Sequence, residues 1–264
     1  MKRIRERIRE TIRETIRERI REIFKNRIII FSLIILSLIA VMGVLVLDGI
    51  IWFNNPTAKD YPVRGIDVSH YQKDIDWVKV KNQGISFAFI KATEGLDFKD
   101  LNFKTNWDGA RRAGLAVGAY HFYTFKRTGK EQAKNFIETV PVMKGSLPPV
   151  VDIEFSGNSK VVPNRADFVQ QLTVFTDEIK KVYKQDAIFY VTYDSYEKLI
   201  RGGFKDNPIW IRDVLKTPLL QDSRPWTFWQ YNDRGKIDGI VGPVDLDVFN
   251  GNLLNLQKGL SVVE

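Results

Sequence analysis

Five carboxylates stand at the ends of short apolar runs, and their spacing marks where chemistry could occur. Asp67 closes the run Gly65-Ile66-Asp67-Val68. Asp152 and Glu154 end Pro149-Val150-Val151-Asp152-Ile153-Glu154, and Asp245 and Asp247 share Val244-Asp245-Leu246-Asp247. Side chains alternate along a strand, so Asp152 and Glu154 point to one face while Ile153 points to the other. Two carboxyls that close cannot ionise independently. The first charge makes the second proton harder to remove, and one pKa of the pair rises. A carboxylic acid still protonated near neutrality can deliver a proton to a leaving oxygen, which is what cleavage of a glycosidic bond requires. Ionised neighbours such as Asp67 and Asp245 would stabilise the positive charge that develops on the sugar. A lone aspartate is an ordinary turn or cap residue, so Asp67, Asp245 and Asp247 each also have a purely structural reading. An apolar strand that ends in two acids is harder to explain structurally, because burying paired acids is costly.

Composition removes several competing chemistries. With no cysteine there are no disulfides, no thiolate metal sites and no cysteine nucleophile. Two histidines, His70 and His121, are too few for a three-histidine metal site. No cofactor is expected. The net charge of +8 is unevenly placed: residues 1–27 hold 11 basic and 5 acidic side chains, and the remaining 237 hold 29 and 27. A globular part that close to neutral has no electrostatic footprint for a phosphate backbone, so no nucleic-acid partner is expected.

The acids need elements to position them. Period-two runs predict strands at 65–68, 87–91, 116–122, 150–155, 187–193, 208–211, 228–231 and 244–249. Amphipathic stretches predict helices near 76–83, 102–114, 130–139, 165–184 and 195–201. Strands and helices alternate at first, then strands follow one another. The fold expected is α/β: an irregular parallel β/α barrel, TIM-like, with helices lost in the last third. Periodicity alone also permits a doubly wound open sheet. In a barrel the site gathers at the C-terminal ends of the strands, where the acid pair stands.

The N-terminal region is of another kind. Residues 1–27 form a basic low-complexity segment with Ile4, Ile8, Ile12, Ile16 and Ile20 every fourth position, between arginine–glutamate pairs such as Glu10 and Arg13. Those pairs favour helix, and the segment, expected on the cytoplasmic side, reads equally as a solvated basic helix or as one that lies on an anionic membrane face, self-associates or recruits a larger machine. From Ile28 to Leu47 runs a stretch of twenty residues without a charge. At about 1.5 Å per residue it spans about 30 Å, the hydrocarbon thickness of a bilayer. Residues 28–53, closed by Trp52 and Phe53, are therefore expected to be a single-pass anchor. A cleaved signal peptide would have a shorter apolar core and a small-residue cleavage site. The arginine-rich flank would stay inside and leave the rest of the chain outside the cell. Residues 54–63 read as a short polar linker and 64–264 as the catalytic domain.

The outer domain resembles the family 25 glycoside hydrolases, the muramidase-type lysozymes. The resemblance runs in order through GIDVSHYQ (65–72), FAFIKATEG (87–95), GAYHFY (118–123), PVVDIE (149–154), IFYVTY (188–193), WQY (229–231) and VDLDVFNG (244–251). It implies an irregular α/β barrel that cleaves the β-1,4 bond between N-acetylmuramic acid and N-acetylglucosamine in a peptidoglycan glycan strand. It also implies that Glu154 is the catalytic acid, with Asp152 as the partner that orients a substrate acetamide or tunes the proton. Asp67 and Asp245 would be the remaining acids of the cleft, and Tyr120 and Tyr190 sugar-contacting residues. Trp210, Trp229 and Tyr231 are further candidates, because aromatic faces stack on sugars, although the same residues suit core packing. His121 reads as structural, facing away from Tyr120. Two positions depart from the family pattern: Asp247 stands where asparagine is frequent, and Arg212 follows Ile209-Trp210-Ile211 where alanine is usual. Two other functions remain open on sequence: a glycosidase acting on chitin-like N-acetylated polymers, and a non-catalytic binder of wall glycan.

Overall fold

The computed structural model describes residues 2–48, 51–52, 54–158 and 162–259. The chain divides into two compact units, residues 1–51 and 52–264. Phe53, expected beside Trp52 at a membrane interface, lies outside the described residues.

The first unit is one helix, α1 (Lys2–Leu47), of 46 residues. The basic segment and the apolar segment expected as separate elements are continuous. No proline occurs in this stretch and its one glycine, Gly43, comes near the end, so nothing interrupts the hydrogen-bond ladder between Arg27 and Ile28. The isoleucines of the four-residue repeat and the apolar side chains from Ile28 to Val44 are alike exposed. By length and composition this helix can cross a membrane.

The second unit is a closed barrel. Its strands are β1 (Arg64–Val68), β2 (Ile85–Glu94), β4 (Ala116–Phe122), β5 (Val150–Ile153), β6 (Ile188–Val191), β7 (Ile209–Arg212), β8 (Phe228–Gly235) and β9 (Val244–Phe249). The two-residue β3 (Phe98–Lys99) hairpins onto β2. Hydrogen bonding runs β1-β9-β8-β7-β6-β5-β4-β2, and β1 pairs with β2 to close the ring. An open doubly wound sheet is thereby excluded. Helices α2 (Trp77–Asn82), α3 (Phe103–Arg112), α4 (Gly129–Thr139) and α5 (Arg165–Tyr183) cover the first crossovers. A single turn, α6 (Tyr193–Ser195), continues as helix to Ile200 between β6 and β7, and α7 (Leu253–Gly259) follows the last strand. No helix stands between β7 and β9, as the sequence pattern implies.

The barrel is not wholly parallel. Strand β9 runs antiparallel to both β8 and β1. Residues 236–243 join β8 to β9, and so short a connection cannot make the crossover of a dozen or more residues that a parallel return needs. The inversion matters for the site: it brings the start of β9, with Asp245, to the rim formed by the C-terminal ends of the other strands, opposite Asp67.

Two apolar clusters hold the barrel. Phe87, Phe89, Val150, Ile188, Trp210, Phe228 and Phe249 fill its interior. The larger cluster lies between strands and helices, from Ile66 and Ile90 to Phe136, Phe175 and Ile211. Gly65 and Gly118 make the interior possible: a Cβ on Gly65 would stand 2.2 Å from the Phe87 ring, and one on Gly118 2.5 Å from the Phe89 ring. Large aromatic residues on β2 thus pack over glycines on both neighbouring strands.

Residues 54–63 are not a free linker. Asn54, Pro56 and Val63 are buried. Asn54 Nδ2 donates to the Asp213 carbonyl at 3.0 Å, and the Tyr61 ring lies 5.7 Å from Trp229. Arg64 donates to the Pro56 carbonyl and, through Nη1, to Tyr231 Oη at 3.0 Å. The polar composition that reads as a linker is satisfied by the barrel wall.

Candidate active site

A cleft of about 370 Å³ opens at the C-terminal ends of the parallel strands. Alternation places its residues. On β5, Asp152 faces the cleft and Ile153 the outer core; on β6, Tyr190 faces in and Val191 out; on β7, Trp210 and Arg212 face in and Ile211 out. Asp67, Tyr120, Glu154, Ser156, Thr192, Gln230 and Asp245 complete the lining. Seven of the nine residues predicted for the site therefore meet in one cleft.

The other two do not. Trp229 and Tyr231 flank Gln230 on β8, and since Gln230 faces the cleft, both neighbours face the outer core. Trp229 is 1% exposed and its Nε1 donates to the Asp213 carbonyl at 2.7 Å. Tyr231 is 4% exposed and accepts from Arg64. These are packing residues, and the structure corrects their assignment to the sugar site. Trp210, 2% exposed, forms the floor of the cleft: its ring stacks on Phe89 at 4.6 Å and its Nε1 donates to Asp247 Oδ1 at 2.9 Å.

The carboxyls are crowded. Asp152 is buried, and its pKa is raised well above the ordinary range by burial first and by the Glu154 charge second. Asp152 Oδ1 meets no donor among the described residues. Burial also raises Glu154, while Arg212 and Lys91 pull the other way. Burial and the charges of Asp245 and Asp247 raise Asp67, against a hydrogen bond at 2.8 Å donated by Gln230 Nε2 to its Oδ2. Burial and Asp233 push Asp245 up to about 7. Asp247, with no exposure, is likewise raised by burial and by Asp245. The sequence reading expected Asp67 and Asp245 to be ionised. Packed together in one cleft, they hold protons past the usual carboxylate range.

Several positioning residues had no sequence signal of their own. Gln230 bridges the floor: besides its bond to Asp67, its Oε1 accepts from Tyr190 Oη at 2.9 Å. Asn158 ties the loops after β4 and β5, donating to the carbonyls of Tyr123 at 2.7 Å and Glu154 at 3.2 Å and accepting from Phe125 N at 3.0 Å. Only the alternation around Gln230 could have flagged it. His121 is fully buried between Thr93 Oγ1 at 2.7 Å and Gln132 Oε1 at 3.2 Å, and burial pushes it down to about 3. It is neutral and structural, on the face away from the cleft. His70 lies near the end of β1, with Nδ1 2.7 Å from Asp100 Oδ2, and does not line the cleft.

A paired-acid cleft at the rim of an irregular barrel narrows the possible families, and comparison decides among them. Residues 66–240 match the profile of the glycosyl hydrolases family 25. The chain belongs to that family. It is therefore a glycoside hydrolase. A family 25 glycosyl hydrolase from Bacillus anthracis superposes with a TM-score of 0.73 at 41% identity, over 78% of this chain and 96% of that one. Lysozyme M1 of Streptomyces globisporus is 34% identical over 207 residues, 74% of this chain and 70% of the relative. YegX of Escherichia coli strain K12 is 38% identical over 202 residues, covering 75% and 73%.

Proposed function

We propose that this family 25 hydrolase is an N-acetylmuramidase that cleaves the β-1,4 bond between N-acetylmuramic acid and N-acetylglucosamine in peptidoglycan, close to a membrane. The observation that carries the reading is the acid pair at the end of β5, Asp152 and Glu154, both raised and both lining the cleft. Glu154 gives its proton to the glycosidic oxygen as the bond to C1 breaks. Asp152 Oδ1, buried without a donor among the described residues, suits the N–H of the substrate's 2-acetamido group. So held, the acetamide carbonyl oxygen can attack C1 from the opposite face and form an oxazolinium ion. Water then opens it, giving its proton to the carboxylate of Glu154. Tyr120, Tyr190 and Trp210 form the aromatic part of the sugar site, and Asp67 and Asp245 are the remaining acids of the cleft.

Helix α1 supports the membrane part of the reading. Residues 28–47 would anchor the chain, with the N-terminus cytoplasmic and the barrel outside; Trp52, expected at the membrane interface, belongs to the barrel unit and donates to the Tyr231 carbonyl at 3.1 Å. Since 54–63 belong to the barrel unit, only residues 48–51 separate helix from barrel in the sequence. Such an enzyme acts on membrane-proximal wall and opens it locally. The repeat in residues 1–27 would serve recruitment or self-association on the inner side.

One experiment separates these readings. Purified protein is incubated with dye-labelled peptidoglycan and, in parallel, with chitin, and the same is done with Glu154→Gln. Muramidase action predicts release from peptidoglycan and a loss of about 100-fold or more in the variant, the usual contribution of a general acid. Release from chitin alone, or none with binding retained, overturns it. Intact enzyme lacking residues 1–47 in the culture medium would overturn the anchor.

A further inference from the structure

Four carboxyls and one cation line the cleft. Such a lining offers an anion a single cationic partner, and the polymer proposed above is anionic. Each muramic acid bears a lactyl ether that ends in a carboxyl group, free in peptide-stripped glycan and otherwise extended by a peptide with its own carboxylates. Among the described lining residues, Arg212 is the cation. Strand β7 sends Trp210 and Arg212 to the same face; Trp210 is the floor, so Arg212 stands one step higher, at the rim, in the layer of Glu154 and Thr192. Its side chain is 35% exposed, and Nη2 donates to Asp233 Oδ2 at 2.6 Å. That bond holds one arm of the guanidinium of a side chain that lines the cleft. Lys91, the other cation near the acids, is engaged elsewhere: its Nζ lies 2.8 Å from Glu94 Oε2 and sits over the rings of Phe98 and Phe122.

We propose that Arg212 selects muramoyl glycan by binding the carboxylate carried on the muramic acid substituent at the rim of the cleft. The inference rests on the muramidase reading. A planar guanidinium meets a carboxylate with two parallel hydrogen bonds, which an ammonium cannot reproduce. Its tether to Asp233 reduces the side-chain freedom lost on binding.

The test compares two tetrasaccharides of alternating N-acetylglucosamine and N-acetylmuramic acid, one with free lactyl carboxylates and one with those groups converted to methylamides. Affinity is read by calorimetric titration and cleavage by new reducing ends, for the wild type, Arg212→Ala and Arg212→Lys. Thermal melting checks that each variant folds. The wild type should prefer the anionic sugar by about 10-fold or more, the ordinary worth of hydrogen bonds to a charged group. Arg212→Ala should bind and cleave both alike, and Arg212→Lys should keep only part of the preference. Because Arg212 also neighbours Glu154, its loss affects the chemistry of both sugars; the ratio between them isolates recognition. Equal binding of the two sugars by the wild type, or an unchanged preference in Arg212→Ala, overturns the proposal. A failed muramidase reading shows separately, as no reducing ends from either sugar. Adding a peptide-bearing glycan identifies the source of the carboxylate: an Arg212-dependent gain over the methylamide sugar assigns it to the stem peptide, and no gain assigns it to the lactyl group.

Discussion

Gln230 bridges Asp67 and Tyr190 at the cleft floor. It is 4% exposed, its Nε2 donates to Asp67 Oδ2 at 2.8 Å, and its Oε1 accepts from Tyr190 Oη at 2.9 Å. Gln230→Met keeps length and approximate volume but removes both bonds, leaving a buried carboxyl and a buried phenol each without that partner. A neutral hydrogen bond is worth about 0.5–1.5 kcal/mol, so the loss of two should total about 1–3 kcal/mol. For a domain of this size that lowers the melting temperature by roughly 2–4 °C for each kcal/mol. The functional effect should be larger than the stability loss alone explains, because Asp67 and Tyr190 both line the cleft and both lose their orientation. Chemical denaturation of the chain from Trp52 onward measures the first quantity, and kcat/KM on a soluble muramoyl oligosaccharide, at a temperature where the variant is fully folded, measures the second. A variant that loses less than about 0.5 kcal/mol, the range of a surface substitution, would refute the bridging role. So would normal kcat/KM in a folded variant.

Asp152→Asn removes the like charge from the acid pair. The alkaline limb of the pH–rate profile, where the pair loses its second proton, should move to lower pH and the rate should fall severely; an unmoved limb argues against coupling with Glu154. The raised acids also make stability pH-dependent. Asp245 is held up to about 7 when folded but ionises near 3.9 when unfolded, so its contribution is complete below about pH 4 and is lost as pH rises through 7. Melting temperature should therefore decline from pH 4 to 8, and Asp245→Asn should flatten the decline; a slope unchanged in the variant would contradict the assignment. Trp229→Phe loses the bond to Asp213 and some packing, so it should destabilise by about 1–3 kcal/mol. Its KM should stay within about twofold of wild type, and a large rise in KM would return Trp229 to the sugar site.

Much of the architecture is written locally. The eight barrel strands and five helical stretches emerge from periodicity because each element must bury one face, and a short apolar run with alternating neighbours has few other ways to do so. Asp152 and Glu154 are legible for the same reason: two residues apart on a strand, they share a face wherever that strand goes. The charge-free run of α1 is legible from composition alone. What sequence could not decide depends on the direction and facing of whole strands. Whether Trp229 or Gln230 faces the cleft is a single-residue choice of phase, and both phases place apolar groups acceptably until the rest of the barrel is present. The antiparallel return of β9 determines which of its ends reaches the catalytic rim, and so brings Asp245 opposite Asp67. The polar run 54–63 looks like a tether because its partners, the Asp213 carbonyl and the Trp229 ring, lie more than 150 residues away in the chain. Protonation of the cleft acids is likewise a tertiary property: it comes from burial and from charges gathered by four different strands, which no local spacing encodes.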